Sequence, residues 1–440
     1  MVNPMKNNCY DVLVVGGGAA GLAAALAALC AFQEENKKPS LAILERNAEG
    51  GKKLAITGNG RCNVTNSWAL AAEYGSADPA LARSILTEIN PDETLGFFEE
   101  LGLFCREEEE GRVYPCHGQA SVFRDHLVQR TKALGAVWHC GFAVKSVEAL
   151  ESGAFGDAAK AASVSGARFR LVSESGEELF ARKVLLAPGG KAGIRTGSQG
   201  DGYRWVRTFG HTVLRPHPAL VQVTHEDPAL KDLKGVRAPG RVTLLRDGTP
   251  VQSASGEIQF GSGLLSGICV FDLSGKIADT EDHTYKMQLD FLEDLTAEEV
   301  LQKLDLLKNR LPALQTSGTA AKEETLAALL EAFLPVKLAA ALAKAGLRKK
   351  GSASEIAAAL LKDYTLTVTG TKGWVEAQVT AGGVKLSEID EITMESRLVP
   401  GLYLAGELLD ANCPCGGFNM QWAWTTGILA GRALAAGGKV

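Results

Sequence analysis

The first residues with the types and spacing to do chemistry are Gly16-Gly17-Gly18-Ala19-Ala20-Gly21, which follow one apolar run and open another that is Ala/Leu-rich. Glycine at 16 permits a sharp turn. At 18 it lets the backbone approach a pyrophosphate, and at 21 it lets a helix pack close to a strand. The helix then offers its first N–H groups and positive dipole end to phosphates. Glu45 closes a second apolar run, where an acceptor bonds ribose hydroxyls and disfavours a 2′-phosphate. The strand, turn, helix and acid together point to a dinucleotide, while the spacing leaves FAD and NAD open.

Other side chains carry weaker chemical signals. Arg61, Tyr114 and His117 are the candidate catalytic residues, and Tyr and His are common proton donors. A buried Tyr with a satisfied hydroxyl is the competing reading of Tyr114. Cys413-Pro414-Cys415 could form a strained C-x-C disulfide and relay electrons from a flavin, but most thiol relays use wider spacing, so two small residues shaping a loop is the simpler reading. Cys62 reads as a small contact residue before it reads as a nucleophile. His211, His217 and His225 fit no standard metal spacing, and no metal is expected. The run Glu107 to Glu110 reads as a solvated loop.

These residues need elements to position them. Tyr10 to Val15 reads as a strand, Leu22 to Phe32 as a helix and Leu41 to Leu44 as a second buried strand. That is a βαβ unit, which implies a parallel sheet with helices on its faces. Helices are expected over 80–90, 91–102 and 119–135, strand structure over 136–150, and a loop or hairpin tip over 151–167. Lys183 to Ala187 is another buried strand, followed by Pro188-Gly189-Gly190. Residues 214–293 carry short alternating runs, such as Arg241 to Leu245 and Thr284 to Phe291, which predict antiparallel β structure. Residues 296–362 switch to helical periodicity, broken by Pro312 and Pro335. The expected organisation is an α/β domain split in sequence: 1–213 and 375–440 form it, 214–295 is a β-rich insertion, 296–362 a helical one, and 363–374 a return strand to the β insertion.

The chain has 440 residues, 46% hydrophobic and 22% charged, which supplies large cores and excludes dominant disorder. The length prior is about three domains, or two. A net charge of −5 argues against a nucleic-acid surface over the whole protein, and no nucleic-acid partner is expected. Nine cysteines, an odd number at irregular spacing and with no C-x-x-C pair, fit reduced thiols in a cytoplasm. Lys6 before the apolar run Val12 to Phe32 imitates a signal peptide. Three consecutive glycines, Asp11 and the bulk of Leu29 before Cys30 argue against export, and the run is too Gly/Ala-rich for a membrane helix.

The segment Gly50 to Asn66 (GGKKLAITGNGRCNVTN) is distinctive, as is the C-terminal series Thr393-Met394-Glu395-Ser396, Gly401 to Glu407 and Gly416 to Trp424. With Gly111 to Pro115, Ala187 to Gly190, Gly200 to Tyr203 and Thr380 to Val384, these blocks resemble the BaiN/YhiN-type flavoprotein family of bacterial FAD-dependent oxidoreductases. The resemblance implies FAD in a glutathione-reductase-like, Rossmann-type, discontinuous domain with an inserted β-barrel-like and helical region. It implies that Gly16, Gly18, Ala19, Ala20 and Gly21 hold the pyrophosphate, and that Glu45 and Arg46 flank the adenosine ribose. Lys53 and the loop Asn59, Gly60, Arg61, Cys62, Asn63 would run towards the flavin. Val144 would meet the adenine through its backbone, and Ala187 and Gly189 would line the adenosine side. Gly406 and Glu407 would lie along the ribityl chain, and Gly417, Phe418 and Asn419 would face the isoalloxazine. A helix beginning at Phe418 and aimed at the flavin N1/C2=O edge would stabilise the negative charge of reduced flavin. The chain departs from the family around Gly256 to Gly267, a block bordering the insertion, which bears on substrate identity.

No second G-x-G-x-x-G follows a strand; Gly261-x-Gly263-x-x-Ser266 is a degenerate imitation in the β-rich stretch. NAD(P)H, the expected transient donor, must therefore visit the flavin face itself and leave before the oxidant binds. Hydride transfer needs its donor carbon about 3–3.5 Å from flavin N5. The leading expectation is NAD(P)H-driven reduction of a C=C bond in a small or steroid-like, bile-acid-type enone. The alternatives are an amine oxidase that makes hydrogen peroxide and, of another class, an FAD-containing protein that binds or modifies RNA.

Overall fold

The computed structural model describes residues 9–150, 166–278, 280–310 and 319–436. The chain divides into two compact units, Met1–His217 with Val379–Val440, and Pro218–Gln378.

The first unit is built on a seven-stranded sheet. Its order is Val137–Cys140, Leu41–Glu45, Cys9–Val15, Glu178–Leu186, Phe169–Ser173, Val144–Ala149, and Leu402–Leu404 pairs separately with Glu178–Leu186. The Cys9–Val15 strand is parallel to both neighbours, with Val14 opposite Ile43 on one side and Leu185 on the other. Strands covered on both faces are continuous apolar runs, and Leu41–Glu45 is buried at every position. The first helix, Ala19–Glu34, is buried on most of its surface because the C-terminal helix, Phe418–Ala435, lies against it. Gly427 and Gly431 make that approach possible: a Cβ on either would fall 2.5 or 2.3 Å from the carbonyl oxygens of Ala20 and Ala24.

The helices expected over 80–90, 91–102 and 119–135 form at Pro79–Glu88, Pro91–Glu100 and Ala120–Ala133. Asn90 and Glu93 close a reciprocal capping box at the second of these. The strand structure expected over 136–150 forms as two strands, Val137–Cys140 and Val144–Ala149. Most of the loop or hairpin tip expected over 151–167 lies outside the described residues. A small antiparallel sheet, in the order Thr65–Asn66, Arg112–Pro115, Cys105–Glu107, was not expected.

In the second unit six strands close an antiparallel barrel, in the order Val223–His225, Leu264–Ser266, Thr249–Gly261, Val236–Arg246, Tyr285–Asp290, Tyr364–Thr371. Alternation fixes the register: Val242 faces Leu289, Leu244 faces Met287 and Met287 faces Leu366, all buried. Four helices, Ala297–Arg310, Thr319–Glu331, Val336–Gly346 and Ala353–Lys362, come between the strands Tyr285–Asp290 and Tyr364–Thr371. The sequence periodicity set 214–295 and 296–362 apart, but Leu326, Leu342 and Leu360 belong to the same apolar core as the barrel residues.

Candidate active site

The glycine turn is built by close contacts within the first unit. Gly16 has φ +104°, and a Cβ there would lie 2.3 Å from the Ala187 carbonyl oxygen; one on Gly21 would lie 1.9 Å from that of Gly16. Ala187 and Gly21 are thereby placed against the turn. Gly18 differs. Its φ is −82°, nothing lies within 4 Å of its missing Cβ, and it starts the first helix without a side-chain cap. The backbone at Gly18, Ala19 and Ala20 therefore presents helix-start N–H groups beside open space, as an anion site requires.

Glu45 is buried and fully engaged. Its Oε2 accepts the Gly17 N–H at 3.0 Å, and its Oε1 accepts from the Asn47 backbone (2.9 Å) and side chain (2.7 Å). Arg46 turns to the 197–201 loop, donating to the Gly197 carbonyl (3.1 Å) and Asp201 (2.9 Å). Gly189, at φ +77°, sits where a Cβ would meet Ser198 Oγ at 2.9 Å. Val144 is buried at the start of its strand, paired with Ser173.

Lys53 donates to Glu407 Oε2 at 2.7 Å, and Glu407 Oε1 accepts the Thr380 N–H at 2.8 Å. Gly406, at φ +74°, donates its N–H to Thr426 and brings this segment onto the first helix, where a Cβ would lie 2.9 Å from that of Ala20.

A second group of candidates gathers around the left-handed loop. Gly58, Asn59, Gly60 and Cys62 all have positive φ. For Asn59 and Cys62 this is backbone strain that only surrounding contacts maintain. Burial pushes the Cys62 thiol up to about 12, which makes it a poor nucleophile and suits the small-contact reading. A Cβ on Gly58 would lie 2.8 Å from Asn63 N and 3.7 Å from the Tyr114 ring. Arg61 lies over that ring, its guanidinium carbon 4.1 Å from the centroid, and bonds Glu108 at 2.7 Å. The bond to Glu108 holds Arg61 above its ordinary pKa and Glu108 below its own. Asn63 is 8% exposed, and its Oδ1 is a buried acceptor with no hydrogen-bond partner.

That oxygen faces the start of the C-terminal helix. Gly417, at φ +99°, begins the helix with no side-chain cap, and a Cβ on it would lie 2.4 Å from the Thr65 carbonyl oxygen and 2.7 Å from Asn63 Oδ1. Phe418 is partly buried next to it. Asn419 is occupied elsewhere: it accepts the Cys413 N–H and donates to the Cys413 and Pro414 carbonyls, fastening that loop. Cys413 and Cys415 form no disulfide. His117 is in the turn before Ala120–Ala133, where its Nδ1 accepts the Gln119 N–H, and burial with the nearby His126 lowers its pKa. The structure thus joins Arg61, Tyr114, Asn63 and Gly417 through the 58–63 loop.

Gly18 thus offers open backbone at one uncapped helix start, and Asn63 an orphaned oxygen at a second. A family model described as the HI0933-like protein Rossmann domain matches residues 10–433. The chain belongs to the HI0933-like family. It is an FAD-dependent oxidoreductase, as its sequence motifs implied. This HI0933-like protein is 36% identical to the 3-dehydro-bile acid delta(4,6)-reductase of Clostridium scindens over 432 residues, 96% of this chain and 98% of the relative. It is 26% identical to the ribosomal RNA dihydrouridine synthase of Escherichia coli over 97% of this chain and 98% of that one. Its fold is similar to that of the 3-ketosteroid delta1-dehydrogenase from Sterolibacterium denitrificans, with a TM-score of 0.50, 13% identity, and 98% and 100% of the two chains covered.

Several residues that did not stand out in the sequence contact the candidate site. Trp138 lies across the glycine turn: a Cβ on Gly17 would come 2.8 Å from its ring, and one on Gly50 2.5 Å. No motif marks it. Thr380 accepts the N–H groups of Lys191 and Ala192 and orients Glu407 through its own N–H. Its block, and that of Gln421, contributed to the family resemblance, which was the available signal. No helix among the described residues is long and apolar enough to cross a membrane.

Proposed function

We propose that this flavoprotein reduces a C=C bond conjugated to a carbonyl in a small, steroid-like enone of the bile-acid type, with NAD(P)H as donor. The observation that carries the reading is the end-to-end 36% identity to a bile-acid delta(4,6)-reductase. FAD, when bound, supplies two-electron hydride chemistry and lets donor and enone use one site in turn. Gly18 and the first-helix N–H groups would bind the pyrophosphate, with Glu45 holding the turn. Asn63 and the start of the C-terminal helix would hold the flavin end. Tyr114 Oη is the proton source for the substrate carbon, and Arg61 orients the ring and places a compensating positive charge beside it. His117 is assigned no step. The nine cysteines, none in a disulfide, suit a reducing cytoplasm.

The test is anaerobic mixing of the holoenzyme with NADH, NADPH and a panel of small amines, followed by a 3-dehydro bile-acid enone. Bleaching of the flavin by a nicotinamide and its return on adding the enone is the expected result. Bleaching by amines alone would establish the oxidase reading instead. A second reading, reduction of a uridine in ribosomal RNA, has the support of the relatives named as ribosomal RNA dihydrouridine synthases. Net charge −5 weighs against it. Reoxidation by unmodified ribosomal RNA and not by the enone would decide in its favour.

A further inference from the structure

The C-terminal helix carries a fully buried carboxamide that the proposed reaction does not use. Gln421 is 0% exposed, three residues inside the helix start. Its Oε1 accepts the Thr65 hydroxyl at 2.5 Å. Its amide group has two protons to share among the Ile89 carbonyl (2.9 Å), Thr94 Oγ1 (2.8 Å) and Thr425 Oγ1 (3.0 Å). Thr425 in turn donates to the same Ile89 carbonyl at 2.6 Å. Every polar atom of the amide is therefore satisfied in a dry environment, where such networks fix geometry and tolerate little displacement.

The partner segment matters more than the network itself. Thr65 follows Asn63 and Val64, and two further bonds tie the same stretch to the helix: Trp424 Nε1 donates to the Val64 carbonyl (2.8 Å), and Asn66 Nδ2 to the Gly416 carbonyl (2.9 Å). Asn63 Oδ1, the orphaned acceptor, lies between the pinned strand and the uncapped helix start. We infer that Gln421 is a positioning residue: its clasp on Thr65 sets the separation of Asn63 Oδ1 and the first N–H groups of the C-terminal helix, and through it the redox balance of the bound flavin. The inference rests on the reading that the flavin end lies at Asn63 and Gly417.

The experiment compares flavin midpoint potential, FAD affinity and visible spectrum in holoenzyme carrying Thr65→Val, Thr65→Ser, Gln421→Glu or Asn63→Leu. Thr65→Val replaces the hydroxyl by a methyl and leaves the other Gln421 bonds in place, so it disturbs folding less than a change at Gln421. Thr65→Val and Gln421→Glu are expected to weaken binding of reduced relative to oxidised FAD about tenfold, a shift of about −30 mV for a two-electron couple. Thr65→Ser is expected to restore the parent potential, which a purely structural role would not require. A shift in Asn63→Leu with none in Thr65→Val overturns the role of Gln421 and leaves the flavin placement standing. No shift in any variant, Asn63→Leu included, overturns both.

Discussion

Two chemically identical substitutions should have opposite effects in this protein. In a helix interior, Gly→Ala normally gains about 1 kcal/mol. Gly96, inside Pro91–Glu100, has nothing within 4 Å of its missing Cβ, so Gly96→Ala should gain that amount. Gly431 is inside the C-terminal helix, but its Cβ would lie 2.3 Å from the Ala24 carbonyl oxygen and 2.8 Å from the Ala27 methyl. The obstacle is the backbone of the first helix, which has no rotamer to change. The two helices must separate by roughly 1 Å or more to bring that contact to an ordinary 3.4 Å, and overpacking of this kind costs about 1–3 kcal/mol. Taking about 3 for a backbone obstacle and subtracting the propensity gain, Gly431→Ala should lose about 2 kcal/mol. The pair of variants should then differ by about 3 kcal/mol. Urea unfolding followed by tryptophan fluorescence reads this, because Trp68, Trp138, Trp205, Trp422 and Trp424 belong to the unit containing both glycines. Equal stability of the two variants would show that small-residue contact does not set the helix separation.

Three other outcomes are expected. Gly18→Ala should leave the apoprotein within about 0.5 kcal/mol of the parent, since the position is open and its φ ordinary, yet weaken FAD binding at least tenfold; Gly16→Ala should fail to fold, and equilibrium dialysis with circular dichroism separates the two. Native alkylation at pH 8 should label Cys116 and Cys140, which are exposed, long before Cys62, whose thiolate fraction at a pKa of about 12 is only about 10⁻⁴; prior labelling of Cys62 in mass spectra would restore its claim as a nucleophile. Burial alone would raise Glu388, but bonds from Thr212 and from His211 at 3.0 Å outweigh it and hold the group below its ordinary 4.5. A carboxylate depressed in the folded state contributes stability that is present above its unfolded pKa and lost as pH falls through the folded one. Unfolding free energy should therefore drop below about pH 4.5, and Glu388→Gln should flatten that acid limb in pH-dependent urea titrations.

The parts that the sequence disclosed are those where one residue type has one physical use. The glycine turn was readable because Gly16 and Gly21 face backbone oxygens that no side chain tolerates. The Ala/Leu run after it was readable as a helix once the glycine turn excluded the signal-peptide reading. Barrel strands were readable through alternation, but Arg241 to Leu245 is only part of a strand extending from Val236 to Arg246, because Pro239 and Gly240 interrupt the pattern within it. The change of period near residue 296 suggested a domain boundary, although helix and barrel faces of different period bury the same core. Strands of two to four residues, such as Thr65–Asn66, carry no periodicity to read. Within the site, Lys53 and Glu407 are 354 residues apart, and nothing local announces their pairing. Asn419 was expected to face the flavin from its motif position, whereas its amide meets the complementary N–H and carbonyl of Cys413, a choice only the folded loop reveals.

The split of the FAD unit around residues 218–378 raises a question of cost. Closing a flexible loop of that length would take roughly 4–5 kcal/mol of chain entropy. The insertion avoids most of this in two ways. It has its own core, so it does not behave as a flexible loop. Its two connections are also held together, since Val213–Ala219 and Val379–Val384 pair as a two-stranded sheet. What the arrangement does not avoid is dependence on the last part of the chain. The strand Leu402–Leu404, the Glu407 partner of Lys53, the glycine that meets Ala20 and the helix that clasps Thr65 all lie beyond residue 400. The glycine turn is completed by Ala187, and the end of the site at Asn63 and Gly417 by the C-terminal helix, so neither end is built from local sequence alone.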